Sequence, residues 1–377
     1  MLAFTLAFTT CAATAQEPVR IGVISSITGP IAFVGISHKN SLALLPAKIG
    51  GSDVSYIFYD DASDPTQTVR LVKKLLTEDK IDALLGPSGS PNAIAAIPFV
   101  AAATTPMLAV VGTQAAVLPM DDQKHWVFKT TQNDNIMAQT LVEHMVKAGV
   151  KTVGFIGYSD SYGESWYKTM APLLEKQNIR ITANERYSRA DSSVTGQSTK
   201  LYAAKPDVVF VAGVGAGAAL PAIQLRGMGY KGAVYQTYGS ASPDFIKVGG
   251  KAVEGTIMSA SPMLVLPDIP DSSPSKKVAT QYVVAYQKMY GSTPPTFGAA
   301  FYDGGLLLQN AIPTALKQGK PGTKEFRSAL RDALEATKDL VVSQGVYNMT
   351  PQDHSGFDQR GSVLVTIKDG KFRLLDD

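Results

Sequence analysis

The chain has a single cysteine, Cys11, in 377 residues. Disulfide scaffolding, thiolate metal clusters and paired-cysteine redox chemistry are therefore excluded. It also lacks any block of like charge: 35 basic and 32 acidic side chains are scattered and leave a net charge of +3. Nothing in that pattern tracks a phosphate backbone, so nucleic acid is not an expected partner. Past the N-terminal segment no run approaches the roughly 20 apolar residues that span a bilayer. Histidine is scarce as well. His38, His125, His144 and His354 form no H-x-x-x-H or H-E-x-x-H pair, so no zinc site is expected.

What is present begins with MLAFTLAFTTCAATAQEP, apolar and small up to Ala13-Thr14-Ala15. This reads as a secretory signal over residues 1–15, although no Lys or Arg precedes its apolar stretch. Export to the periplasm is the expectation, with Cys11 lost on cleavage. A lipid anchor at Cys11 is the alternative, but Phe8-Thr9-Thr10 is a poor lead-in for one.

With 45% hydrophobic and 18% charged residues, the remainder is globular and long enough for two domains. Short β-branched runs alternate with helical stretches: VRIGVISS, a helix from about Phe33, VSYIFYDD, a helix after Pro65, IDALLGPSGS, and a helix after Pro91. This βαβα order predicts a parallel sheet covered by helices. Nearly continuous apolar strands at Ile81–Leu85 and Met107–Val111 predict burial on both faces. Asp64-Pro65 and Ser90-Pro91 each place a capping side chain before a first-turn proline. The rhythm restarts near residue 150 with TVGFIGYS, IRITANERYS, VVFVAG, AVYQTYG and GTIMSA. A proline-rich stretch, 261–275, reads as a linker; helices follow at about 275–290, 298–318 and 323–338, and Asp369-Gly370 marks a hairpin.

Catalytic motifs are weak. Gly213-Val-Gly215-Ala-Gly217-Ala218 resembles a dinucleotide turn, and an NAD(P)-dependent enzyme is the rival reading. Nothing acidic stands between Asp207 and Asp244, however, where a ribose-binding carboxylate belongs. Gly86-Pro-Ser88-Gly-Ser90 lacks the last glycine of a nucleophile elbow, and Ser273-Pro-Ser-Lys276 has no partner motifs. The expectation is no enzyme, no cofactor and no metal. Recurrent instead are strand ends that stop in small or hydroxyl residues before a helix: Ser88-Gly89-Ser90, Gly112-Thr113-Gln114, Val214-Gly215 and Tyr238-Gly239-Ser240. In open α/β sheets, ligands bind beyond such ends, where free amides attract an anion.

The strings Thr28-Gly-Pro-Ile-Ala-Phe33-Val-Gly35, DDASDPTQTVRLVKKLL (60–76), LLGPSGS (84–90), DSYGES (160–165), VGGKAVEGT (248–256), PSKKVATQYVVAYQKMYG (274–291) and NMTPQDHSGFD (348–358) resemble the branched-chain amino acid (Leu/Ile/Val) binding family. These are the type I periplasmic solute-binding proteins of ABC transporters. The resemblance implies an α/β fold of two Rossmann-like lobes joined by a three-strand hinge, with 18–137 and 262–340 in lobe one and 138–261 and 341–377 in lobe two. It further implies that Ser90 donates to a ligand carboxylate, that Gly112, Thr113 and Gln114 bind through their loop, and that Tyr162 closes over the ligand. Gly215, Tyr238 and Gly239 would line lobe two, with Ser88 and Phe33 completing the set.

Relatives that bind amino acids carry a carboxylate where this chain has Tyr238, and an unpaired buried ammonium is costly. The pattern after it, VGGKAVEGT and PSKK, resembles the subgroup for aromatic acids of the benzoate type. Tyr238, Tyr162 and Phe33 offer faces for a ring. The expected activity is capture of a small carboxylate, an aromatic acid of the benzoate or hydroxybenzoate type, by lobe closure in a monomer that serves ABC permease subunits. A branched-chain amino acid, its ammonium held by Asp303 or Asp160, is the alternative.

Overall fold

A computed structural model describes residues 17–375; the expected signal segment and Cys11 lie outside the described residues. In chain order the first unit runs β1 (Val19–Ile24), α1 (Ala32–Leu42), β2 (Lys48–Ile49), β3 (Ser52–Tyr59), α2 (Pro65–Thr77), β4 (Ala83–Leu85), α3 (Ser90–Ala102), β5 (Met107–Ala109) and β6 (Val127–Lys129). A second unit follows: α4 (Asp134–Lys147), β7 (Thr152–Tyr158), α5 (Ser161–Lys176), β8 (Arg180–Tyr187), α6 (Thr195–Ala203), β9 (Val208–Ala212), α7 (Ala219–Gly227), β10 (Ala233–Gln236), α8 (Pro243–Gly249) and β11 (Ile257–Ala260). The chain then supplies α9 (Lys276–Tyr290), α10 (Thr296–Ala315), α11 (Lys324–Glu335), a small hairpin β12 (Leu340–Val342) and β13 (Gly345–Tyr347), and a final hairpin β14 (Val363–Lys368) and β15 (Lys371–Leu374).

Two sheets result, in the order β2-β3-β1-β4-β5-β6 and β15-β14-β11-β10-β9-β7-β8. Each has a parallel centre with antiparallel pairing at one edge. The expected two-lobed α/β architecture is the one observed. Strands β4, β5 and β9 are buried along their whole length, as helices on both faces require. Local signals explain the helices. Asp64 caps α2 by accepting from the Thr66 amide at 2.7 Å, with Pro65 in the first turn, and Leu71, Val72 and Leu75 form its buried stripe. Asp369 and Gly370, both at positive φ, make the final turn, and Glu254 accepts their amides at 3.1 and 2.7 Å.

Two expectations need correction. The first concerns α3, which begins at Ser90 with Gly89 as its N-cap and no capping side chain. The Ser90 hydroxyl therefore does not cap its own helix; it accepts weakly from the Thr113 amide at 3.4 Å. The second concerns the chain after residue 341, which stays with the first lobe. Val342, Tyr347, Met349 and Phe357 pack in the same core as β1, β4 and α10, and the Ser343 and Gln344 amides donate to Asp303 of α10, which ties the turn of the hairpin to the first lobe. The last crossing follows Phe357. At the middle crossing, a 3-10 stretch at Pro262–Asp268 packs Met263 against α9 and α10 while Val265 joins the second-lobe core.

Candidate functional site

The carboxyl ends of both sheets face each other across a cleft that holds a cavity of about 50 Å³. Its first-lobe wall comprises the Ser88-Gly89-Ser90 turn before α3, Gly112 after β5, Ile31, Val34 and His38 of α1, and Phe297 and Ala300 of α10. Tyr162 at the start of α5, Arg189 after β8, Val214 after β9, and Tyr238 and Gly239 after β10 face them from the second lobe.

Six of the ten expected residues thus line one cavity: Ser88, Ser90, Gly112, Tyr162, Tyr238 and Gly239. Phe33 and Gly215 meet each other at its rim, where a Cβ on Gly215 would run into the Phe33 ring; Gly215 also has φ +56°, which favours glycine. Thr113 is buried and caps the following turn through the Ala115 amide at 3.2 Å. Gln114 spans the lobes, donating from Nε2 to Thr169 Oγ1 at 2.9 Å.

The two serines differ in role. Ser88 Oγ accepts from the Ser26 amide at 2.9 Å and donates to Ser26 Oγ at 3.1 Å. Ser26 Oγ in turn donates to Asp61, which also accepts from Thr68 and Asn92. That hydroxyl is used up holding the turn. Ser90 Oγ only accepts, so its proton is available to a guest, beside the uncapped first turn of α3. An uncapped helix start attracts an anion.

The second-lobe wall is held by phenols. Tyr162 and Thr237 share a hydrogen bond of 2.7 Å. Tyr238 donates to the Gly112 carbonyl at 2.9 Å, with Asp134 Oδ1 at 3.3 Å. Burial pushes both phenol pKa values up, so each keeps its proton. Asp134, at the start of α4, also accepts from Ser165 of α5 and from the Gln114 amide of the first lobe at 3.2 Å. Burial raises its pKa, opposed by Lys129, whose own pKa burial lowers to about 8. No motif marks Asp134; an acid beside a crossing is recognised only when the lobes meet.

Sequence reasoning also missed His38, Arg189 and Phe297, which reach the cavity from helix flanks and a loop. His38 is fully buried with Nδ1 2.9 Å from Ser25 Oγ. Burial drives its pKa down to about 3, opposed by the Phe297 carbonyl. The ring is therefore neutral. Arg189 pairs with Asp160 and stacks 4.5 Å from the Tyr158 ring centroid.

No carboxylate stands among the residues lining the cavity. Asp160 is committed to Arg189 and to capping α5 through the Tyr162 amide. Asp303 is buried, accepting from the Ser343 and Gln344 amides at 2.8 and 3.1 Å. The glycine-rich turn is a packing device: a Cβ on Gly213 or Gly217 would collide with the hydroxyls of Tyr187 and Tyr158.

Residues 18–371 match the model of a family described as periplasmic binding protein. An extracellular ligand-binding receptor from Rhodopseudomonas palustris HaA2 is 44% identical, with a TM-score of 0.92 over 96% of this chain and 100% of that one. A Leu/Ile/Val-binding protein from Rhizobium johnstonii is 24% identical over 81% of this chain and 85% of its own length. A branched-chain amino acid transporter substrate-binding protein from Streptococcus pneumoniae, solved with isoleucine, is 20% identical with a TM-score of 0.78, covering 95% of this chain and 98% of that one.

Proposed function

The chain belongs to the periplasmic binding protein family, and on that premise we propose that it captures a small monocarboxylate with an apolar, ring-sized body and passes it to the membrane subunits of an ABC importer from the periplasm. Among the described residues no helix is long and apolar enough to cross a membrane.

The observation that carries the ligand class is the charge content of the cavity. Its ionisable lining residues are Arg189, the neutral His38 and two protonated tyrosines, with no acid to hold an ammonium group. On this reading the carboxylate docks at the Ser90 hydroxyl and the first turn of α3. Hydrogen bonds to a charged group contribute about 1.5–3 kcal/mol each. Ile31, Val34, Val110, Val214 and Phe297 surround the rest of the guest, and apolar burial adds about 25 cal/mol per Å². Together these reach the roughly −8 kcal/mol of micromolar binding. The second lobe closes on the occupied first one, a hinge motion that breaks no covalent bond.

A second reading, a branched-chain amino acid, is favoured by the names of relatives at 22–24% identity. It requires an ammonium partner that the cavity lining does not contain. A thermal-shift screen of unliganded protein against benzoate, 4-hydroxybenzoate, short fatty acids and leucine tests the proposal. A guest that binds only the folded state raises the melting point by mass action. The expected result is a rise with an aromatic or other apolar monocarboxylate and none with leucine; a rise with leucine alone supports the second reading.

A further inference from the structure

Away from the cleft, three side chains that ligand capture does not use converge on β6. His125 sits on the single turn Lys124–Trp126, Glu335 ends α11, and His354 lies in the loop after β13. Glu335 Oε2 is 3.0 Å from His354 Nε2 and 3.6 Å from His125 Nδ1. The three ligand atoms all fall within 4.8 Å of one another. No sequence spacing announced this cluster, because the two histidines are brought together only by the packing of two distant loops.

The orientation of His354 is the informative part. Its ring is fully buried, stacked 4.3 Å from Phe128, and its Nδ1 lies 2.8 Å from the Val127 carbonyl. A carbonyl can only accept, so Nδ1 carries hydrogen, and in the neutral ring Nε2 is then a bare lone pair. That lone pair points at a carboxylate oxygen, a second acceptor, 3.0 Å away. Two acceptors so close need a cation or an added proton between them. Tethering the far nitrogen to a backbone carbonyl is the arrangement that fixes metal-binding histidines.

We propose that His125, Glu335 and His354 form a binding site for one divalent transition-metal ion of the zinc class, held by two nitrogens and one oxygen with a further position open to solvent. That donor set suits zinc. Bonds of about 2.0–2.2 Å require His125 to move inward by roughly 1 Å, and its side chain, 38% exposed at the rim, has room to turn. Other charges act on the site as well. Arg331 stacks over Trp126 at 5.3 Å and opposes a cation, while Asp332 pairs with Arg331 and offsets part of that charge.

The test uses tag-free, chelator-treated full chain titrated calorimetrically with Zn²⁺ near neutral pH, and with Co²⁺ by visible absorption. The account expects one ion per chain, a d–d spectrum of a four- or five-coordinate ion, and a loss of affinity of at least about tenfold in His125→Ala and in Glu335→Gln. Because His125 is at the surface, His125→Ala keeps the metal-free melting temperature of the wild type, which separates lost binding from lost folding. Absence of Zn²⁺ binding in the wild type, or equal binding in His125→Ala, overturns the site and identifies the cluster as an imidazolium–carboxylate pair.

Discussion

Tyr238 of the second lobe donates its phenolic hydrogen to the Gly112 carbonyl of the first, at 2.9 Å. Because the bond joins the two lobes, opening the cleft would break it, and under the proposed closure it favours the shut form. Replacing Tyr238 with Phe leaves the carbonyl without this donor, at a cost of about 1–3 kcal/mol. Affinity should fall by roughly 5- to 100-fold, expressed in the off-rate while the on-rate is retained. Stopped-flow fluorescence on wild type and variant checks this; an unchanged off-rate would remove Tyr238 from the closing contact.

Gly112 is constrained from the opposite side. A Cβ there would overlap the Tyr162 ring and lie 3.0 Å from the Tyr238 hydroxyl, both of which belong to the other lobe. Gly112→Ala should therefore leave each lobe folded and block closure. Its melting temperature without ligand is expected to match the wild type, and small-angle scattering should show no contraction on adding ligand. Normal contraction would mean the lobes do not meet at this position.

The two serines of the α3 turn separate binding from architecture. Ser90→Ala removes the available donor and should lower affinity about 10- to 100-fold with little change in ligand-free stability. Ser88→Ala instead leaves Ser26 without its partner and should lower ligand-free stability by about 1–3 kcal/mol. Calorimetric titration and chemical denaturation on both variants check the assignment, and an exchange of the two phenotypes would refute it.

A pH signature is expected from Asp303, whose pKa burial raises to about 7 despite the Ser343 and Gln344 amides. Below about pH 4 the group is protonated in folded and unfolded chains alike. Between there and pH 7 the unfolded chain gives up the proton that the folded chain keeps, so this group's contribution to stability falls as pH rises. Asp303→Asn should be less stable at low pH and lose that slope. Denaturant melts at several pH values measure it, and equal slopes in wild type and variant would count against the shift.

Much of the site was legible because it lies at strand ends. Ser90, Gly112 and Tyr238 lie where a strand end gives way to a helical turn, and the alternating pattern alone puts such residues along one edge of a sheet; Tyr162, in the first turn of α5, was named only by the family resemblance. His38 and Phe297 were not legible, since which face of α1 or α10 looks into the cleft depends on how those helices pack. Ser90 read as a cap because Ser-Pro is a common helix start; the helix begins one residue earlier than that reading assumed. The hairpin at 340–347 looked like second-lobe sequence because nothing in a three-residue strand says which sheet it will lie beside.

The central claim, an anion-seeking cavity that has no partner for an ammonium group, is tested most directly by calorimetry on protein stripped of bound ligand by unfolding and refolding. Titration with 4-hydroxybenzoate or benzoate should give one site with micromolar affinity, and titration with leucine should give no heat beyond dilution. Tight leucine binding with no response to the aromatic acids would contradict the account.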